Sequence, residues 1–566
     1  MNGLEITVML GTAVFAGAVL APRLRIAAPL LLLVFGLALG FVPELREVEL
    51  PPETVLLLFL PVMLFWESLT TSLRSIKRDF RGIVILSTLL VVATAFGVAG
   101  IAYALGMPWE AALIIGAALA PPDATAVAAL GRTLPHRNFM VLKAESLTND
   151  GTALVVYAIA VGTAVGGSYT PLDITGLVVL SYAGGLAAGA LVGGAAYLVL
   201  RRLRDATVIN IALLLIPFTA YLLAELAGAS GVLAVVVAGL IVSYVAPLIS
   251  TAASRRQTES VWPLGSYLLN GALFVLIGLE VQVVARDLAG GSVGRLLVIV
   301  VAAWVALIVV RFLFQTVSVA IIRLVDRRPA QRARRMGYRA RVVSAFAGFR
   351  GAVSLAIALS VPAALDSGEP FPGRADIVFV TAGVILLTLL VQGPLLPAVV
   401  RWANLPHDAA TDQELGLAER VITTTAIEAI PELAVEHDIS DEVRDRLRRD
   451  YDEHLRVAEA RGRESAGQTP PEVEALEAVL EDAGTVGEAD TSTETTTPLQ
   501  RVAVTGHAPL ARNEEYTRLR LALLDREREA LYRLRREGKI DDTVALRIQT
   551  RMDVEELRLT GVEPLD

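Results

Sequence analysis

Lys143-Ala-Glu-Ser-Leu-Thr-Asn-Asp-Gly-Thr-Ala-Leu-Val-Val-Tyr157 carries Glu145, Asn149 and Asp150 straight into a long apolar segment. That segment predicts a membrane-crossing helix, in which a carboxylate costs several kcal/mol, roughly 2.5 to 3.5 on insertion scales, unless it is hydrated or paired. Such a residue is kept for a function. Glu145 and Asn149 stand one helical turn apart, as do Ser146 and Asp150, so the four polar groups cover one continuous patch of helix surface. Oxygen ligands dominate the patch, and hard cations prefer oxygen.

Outward from this stretch, composition sets the class. Of the 566 residues 54% are apolar, and apolar runs of about twenty residues, the length needed to cross a bilayer core, recur from the start of the chain to about residue 402. About thirteen candidate spans lie at roughly 4–22, 26–42, 53–71, 80–105, 109–131, 138–165, 172–200, 207–228, 229–248, 262–285, 293–324, 339–365 and 374–401. The first run opens with Glu5 and lacks a basic leader, so it reads as a retained span and not as a cleaved signal. The absence of cysteine excludes disulfides, thiolate metal sites and thiol catalysis. The net charge of −8 is carried largely by the tail, which gives no hint of nucleic-acid binding.

Basic residues alternate between loops, with Arg46, Arg286, Arg295 and Arg374 as scattered exceptions. Arg23 and Arg25; Arg74, Lys77, Arg78 and Arg81; Arg132, Arg137 and Lys143; Arg201, Arg202 and Arg204; Arg255 and Arg256; and the run from Arg327 to Arg341 fall in every second loop. By the positive-inside rule these loops face the cytoplasm, which puts the N-terminus outside and the tail inside a cell membrane. The expected domains are residues 1–404 in the membrane, a cytoplasmic helical segment at 405–464, a flexible Thr/Glu/Gly/Pro-rich linker at 465–512, and a helical hairpin at 513–566. Thr411-Asp-Gln-Glu414 has the capping-box pattern that would open the first tail helix, and Asn513 would cap a later one that breaks at Gly538.

Two spans should be broken. Ala118-Leu-Ala-Pro-Pro-Asp-Ala-Thr125 sets two prolines and Asp123 near mid-bilayer, where proline removes a backbone donor and frees carbonyls. Ala347-Gly-Phe-Arg-Gly-Ala-Val-Ser354 flanks Arg350 with glycines. Interrupted segments in corresponding positions of two halves point to a transporter of inverted repeats. Taking the seventh span as a linker leaves six on each side, with the broken span fifth in each. The expected fold is therefore all-α and polytopic: about thirteen transmembrane helices in two inverted six-helix repeats, two of them discontinuous, with a helical cytoplasmic tail. Asp123 would offset positive half-helix ends, or ligate directly, and Arg350 would offset negative ends. Arg311, in the middle of the eleventh span, needs an anion, with Glu145 and Asp150 as candidates.

Glu145-Ser-Leu-Thr-Asn-Asp150 after the Pro-Pro-Asp123 break, then Phe274-Val-Leu-Ile-Gly-Leu-Glu280 and Gly348-Phe-Arg-Gly-Ala-Val353, resembles the first cation:proton antiporter family, the bacterial and eukaryotic sodium/proton exchangers. The resemblance covers the membrane part. It implies that Asp150 binds Na⁺ or the proton, with Asn149 marking electroneutral exchange, Ser146 and Asp123 accessory, Glu145 paired with Arg311, and Arg350 in the broken twelfth span. It also implies a homodimer. One departure is that Pro122 and Ala124 flank Asp123 where the family has a small residue and a proline, so that a threonine ligand is lost unless Thr125 replaces it.

Independently of the family, a buried carboxylate is neutralised by a proton or a metal ion, and the two compete for it. Together with the resemblance, this makes the chain read as a secondary antiporter without cofactor or enzymatic activity, exchanging Na⁺, with Li⁺ or K⁺ as alternatives, for H⁺ in pH and sodium homeostasis. The rival readings are a K⁺-selective exchanger, an intramembrane aspartyl protease using Asp123 and Asp150 as a dyad, and a bundle that serves as sensor for the tail. The Gly-x-Gly-Asp context expected of such a protease is absent around both aspartates. For Glu145, Arg311 and Arg350 the structural role is the stronger reading. No motif in the tail names a partner.

Overall fold

The computed structural model describes residues 3–24, 26–42, 52–123, 136–167, 169–287, 293–325, 337–362, 364–365, 369, 371–405, 409–465 and 508–561. Thr125, the far half of the fifth span, most of the 465–512 linker and the Arg327 end of the basic run lie outside the described residues. The described elements are helices, and the chain divides into two units, Met1–His407 and Asp408–Asp566.

The first unit contains α1 Gly3–Leu24, α2 Ala28–Leu39, α3 Pro52–Leu69, α4 Leu73–Ile85, α5 Val91–Ala104, α6 Trp109–Leu119, α7 His136–Ala164, α8 Pro171–Val179 and α9 Gly185–Leu200. After them come α10 Ala206–Leu226, α11 Gly231–Ile249, α12 Ala252–Asp287, α13 Val293–Val325, α14 Tyr338–Phe346, α15 Ala352–Leu359, α16 Arg374–Leu387 and α17 Gly393–Ala403. Three helix pairs, α4–α5, α8–α9 and α16–α17, run on through π-helical turns at Leu86–Leu90, Leu180–Gly184 and Thr388–Gln392. Among the described residues seven helical stretches are long and apolar enough to cross a membrane, accompanied by four shorter apolar helices. Their outer faces are apolar too: Leu191, Ile211 and Leu215 are each more than 60% exposed. Water would not tolerate that surface, whereas hydrocarbon would.

Because lipid supplies no hydrophobic drive between helices, close packing must hold the bundle. At the crossing of α2 and α12 a Cβ on Gly36 would strike the Val275 carbonyl, and one on Gly278 would strike that of Leu33. Only glycine lets the two backbones meet there. A core of α5, α6, α13 and α16 encloses Ala153 and Ala160 of α7, while a second core joins α3 to α9, α10 and α11. Helix α7 thus runs between two packed groups, with α3 on one side and the short α6 and α15 on the other.

The second unit packs α18 Ala409–Glu436, α19 Asp441–Ser465, α20 Ala508–Glu537 and α21 Asp542–Thr560. Leu519 and Leu523 of α20 meet Ala426, Ile430 and Leu433 of α18 and Leu447 of α19, so the helical segments on either side of the linker form one unit and not two. Two expected caps are corrected. Helix α18 starts ahead of Thr411, which leaves no extended residue there to close a capping box, and Glu414 instead accepts the Asp541 backbone N–H at 2.7 Å, at the start of α21. Asn513 lies inside α20, whose start at Ala508 precedes it. Gly538, at φ 83°, ends that helix.

Candidate ion-binding site

Helix α6 follows Pro108 and stops at Ala120. Pro121 and Pro122 have no N–H to give, so the carbonyls of the last turn need donors from elsewhere. Arg350 supplies them: its Nε donates to the Leu119 carbonyl and its Nη2 to that of Ala120 at 3.3 Å. Its Nη1 donates to the carbonyls of Gly348 at 2.6 Å and Phe349 at 3.3 Å, in its own break. The guanidinium, 2% exposed, sits among backbone oxygens at the negative end of a half-helix.

The second break spans residues 347–351, between α14 and α15. The two breaks touch directly, since the Asp123 backbone N–H donates to the Phe349 carbonyl at 2.8 Å. A Cβ on Gly351, the residue before α15, would collide with the Asp123 carboxylate. That carboxylate therefore lies against the positive N-terminal end of α15. The π-helical turn at Thr388–Gln392 supports the same place, with Gln392 Nε2 donating to the Phe346 carbonyl at 2.5 Å at the end of α14.

Helix α7 presents its polar patch to this crossing. Glu145 and Arg311 form a bidentate pair, Nη1 to Oε1 at 2.6 Å and Nη2 to Oε2 at 2.7 Å, with both side chains buried. Arg311 Nε also donates to the Ser344 carbonyl at 3.0 Å, which ties α7 to α14 through α13. Asn149 donates to the Pro122 carbonyl at 3.4 Å, and its own oxygen is buried without a hydrogen-bond partner among the described residues. Asp150 is 4% exposed and Ser146 6%. Both line one pocket with Asp123, Pro121, Pro122, Gly351 and Ser354.

The pocket also holds Glu67 of α3, a buried carboxylate that the sequence reading passed over. Its signal was the one that exposed Asp150, an acid after a run of apolar residues, but it stands close to the end of its span. Lys143 differs from expectation as well. Counted as a loop cation, it lies inside α7 and donates to Thr70 at the end of α3, to Oγ1 at 2.6 Å and to the carbonyl at 3.2 Å.

Among the described residues no three of His, Asp or Glu converge as a ready-made metal cluster. A cation here would take carboxylates from Asp150, Glu67 or Asp123 together with the hydroxyls of Ser146 and Ser354 or backbone oxygens of the break. Such a mixed oxygen set suits hard, weakly held ions.

The family profile described as "Sodium/hydrogen exchanger, transmembrane" matches residues 10–402. An uncharacterized Na(+)/H(+) exchanger of Mycobacterium tuberculosis is 40% identical over all of this chain and 97% of its own. The Na(+)/H(+) antiporter ApNhaP of Aphanothece halophytica is 32% identical over 72% of this chain and 75% of its own. A sodium, potassium, lithium and rubidium/H(+) antiporter of Bacillus pumilus is 30% identical over 72% and 62%. In fold, the sodium proton antiporter MjNhaP1 of Methanocaldococcus jannaschii superposes with a TM-score of 0.55 at 19% identity, covering 71% of this chain and 99% of that one.

Proposed function

The chain belongs to the sodium/hydrogen exchanger family of multi-pass membrane transporters, and from that premise we propose that it exchanges a monovalent cation for a proton at Asp150, one neutralising the carboxylate in place of the other. The observation that supports this most is the pocket in which Asp150, Glu67, Asp123 and Ser146 meet, where the end of α6 touches the break between α14 and α15. A bare charge at such depth is costly, so the carboxylate is neutral in any state that crosses the barrier. Either partner satisfies that condition, and the exchange follows from their mutual exclusion.

Each other side chain has a part in this reading. Asp123 and Arg350 hold the half-helix ends, the Glu145–Arg311 pair fixes α7 against α13, and Asn149 and Ser146 shape the seat. Asn149 in place of a second titrating acid leaves equal charge moving in each direction, so the exchange is electroneutral. About thirteen crossings form two inverted six-helix repeats, whose moving part carries the crossing past a dimeric scaffold. The N-terminus is outside and the tail cytoplasmic, by the distribution of basic loops.

In everted vesicles Na⁺ should collapse an imposed proton gradient, and Asp150→Asn should abolish this while the protein remains in the membrane. Normal exchange by the variant would overturn the assignment. Because one relative is named for sodium, potassium, lithium and rubidium, the same assay run with Na⁺, Li⁺ and K⁺ across a pH series separates a sodium exchanger from a K⁺/H⁺ antiporter. Membership in a transporter family leaves the protease dyad without support.

A further inference from the structure

A cation is held beside the acidic pocket, on the helix that carries Ser146 and Asp150 into it. Lys143 stands three residues before Ser146 and seven before Asp150, so all three share one face of α7. Its ammonium does not reach solvent freely but is held by Thr70 through both the hydroxyl and the carbonyl. Thr70 Oγ1 also donates back to the Glu67 carbonyl at 3.2 Å, so the anchor of the lysine lies one turn from the acid of the pocket. Among the described residues no acid forms a contact pair with the lysine, and the buried ion pair of this bundle joins Arg311 to Glu145.

We infer that Lys143 is a fixed counter-charge at the α3 end of the pocket, a positioning residue that sets how strongly the acids there hold the transported cation. The inference rests on the exchange reading above. Seven residues along a helix place Lys143 and Asp150 about 10 Å apart. At an effective dielectric of about 20, a unit charge at that distance changes the affinity for a monovalent cation about tenfold. Lysine thereby keeps the seat weak enough to release its ion, which a turnover cycle requires. A purely structural reading of the same contact also exists, in which a cation near the last carbonyls of α3 stabilises that helix end. The two differ in what the charge controls.

The test compares Lys143→Gln and Lys143→Arg with the unaltered full chain, in vesicles at an alkaline pH where protons compete least. Asp150→Asn runs alongside. The expected result is a KM for Na⁺ about tenfold lower in K143Q, with maximal rate equal or reduced, and near-normal KM in K143R. Binding is read independently in detergent from the Na⁺ concentration that half-saturates the rise in melting temperature, which should fall about tenfold in K143Q even if turnover is lost. A KM and a half-saturating concentration within twofold of the unaltered chain, with or without a lower melting temperature, would overturn the inference and leave the helix-end role. Exchange by D150N would instead sink the functional reading on which it stands.

Discussion

Arg311 and Glu145, 3% and 1% exposed, keep a doubly hydrogen-bonded pair where water cannot replace a lost partner. Removing one half strands the other charge, at a cost of about 3 to 5 kcal/mol. Arg311→Ala should therefore lower the melting temperature in detergent markedly, and more than it alters the apparent affinity for Na⁺. An unchanged melting temperature would contradict the structural role. At this scale the sequence was most legible where a polar residue interrupts a long apolar run, as Asp150 and Arg311 do, because insertion cost makes such residues rare. Lys143 was counted with the loop cations although α7 begins two turns before it, and Glu67 was missed because it lies near a helix end, where sequence alone cannot distinguish a side chain that turns to water from one that turns inward. Snorkelling permits either.

Broken helices are the elements that make the site. The end of α6 ahead of Pro121-Pro122 was legible because proline takes away a donor whatever the context. Glycine at 348 and 351 marked the second break, although glycine signals less directly, and its reason emerges only in the structure: at Gly351 the need is space, since its φ of −139° is open to any residue. Gly351→Ala should push the Asp123 carboxylate away from the start of α15 and lower exchange at least tenfold, with an overpacking cost of about 1 to 3 kcal/mol. Wild-type rates in vesicles would show that the placement of this carboxylate is immaterial. The π-helical turns had no sequence signature, because one extra residue per turn requires neither proline nor glycine. They are nonetheless used: Thr152 of α7 bonds the Ser87 carbonyl of one turn at 2.6 Å and the Tyr182 hydroxyl of another at 2.5 Å. The tail caps at Thr411 and Asn513 were misjudged since a motif does not exclude helix upstream of it.

For the whole molecule, the division into an apolar unit and a charged one was readable from composition, whereas the joining of α18 and α19 with α20 across the linker was not. That pairing depends on contacts between leucines some ninety residues apart in sequence, as between Leu433 and Leu523. The tail carries its own buried acid. Glu527 accepts from Tyr451 Oη and from Arg520 Nη1 at 2.9 Å. Burial raises its carboxyl to about 7, with Arg520 opposing, Glu555 adding, and Arg528 and His454 opposing. The folded value lies above the ordinary 4.5, so the stabilisation is complete below about pH 4.5 and is lost as pH rises through 7, on the order of 3 kcal/mol in all. Amide exchange of α20, corrected for intrinsic rate, should show less protection at pH 8 than at pH 5, and Glu527→Gln should flatten that dependence. Equal pH dependence in the variant would assign the effect to other groups.

The exchange proposed for the membrane unit requires that one carboxylate, that of Asp150, accept a proton and a metal ion in alternation. The most direct measurement adds Na⁺ to weakly buffered, detergent-solubilised protein at a pH where the seat is protonated and records the acidification. Displacement predicts about one proton released per chain by the wild type and none by Asp150→Asn. Na⁺ binding without proton release, or equal release from the variant, would contradict the account.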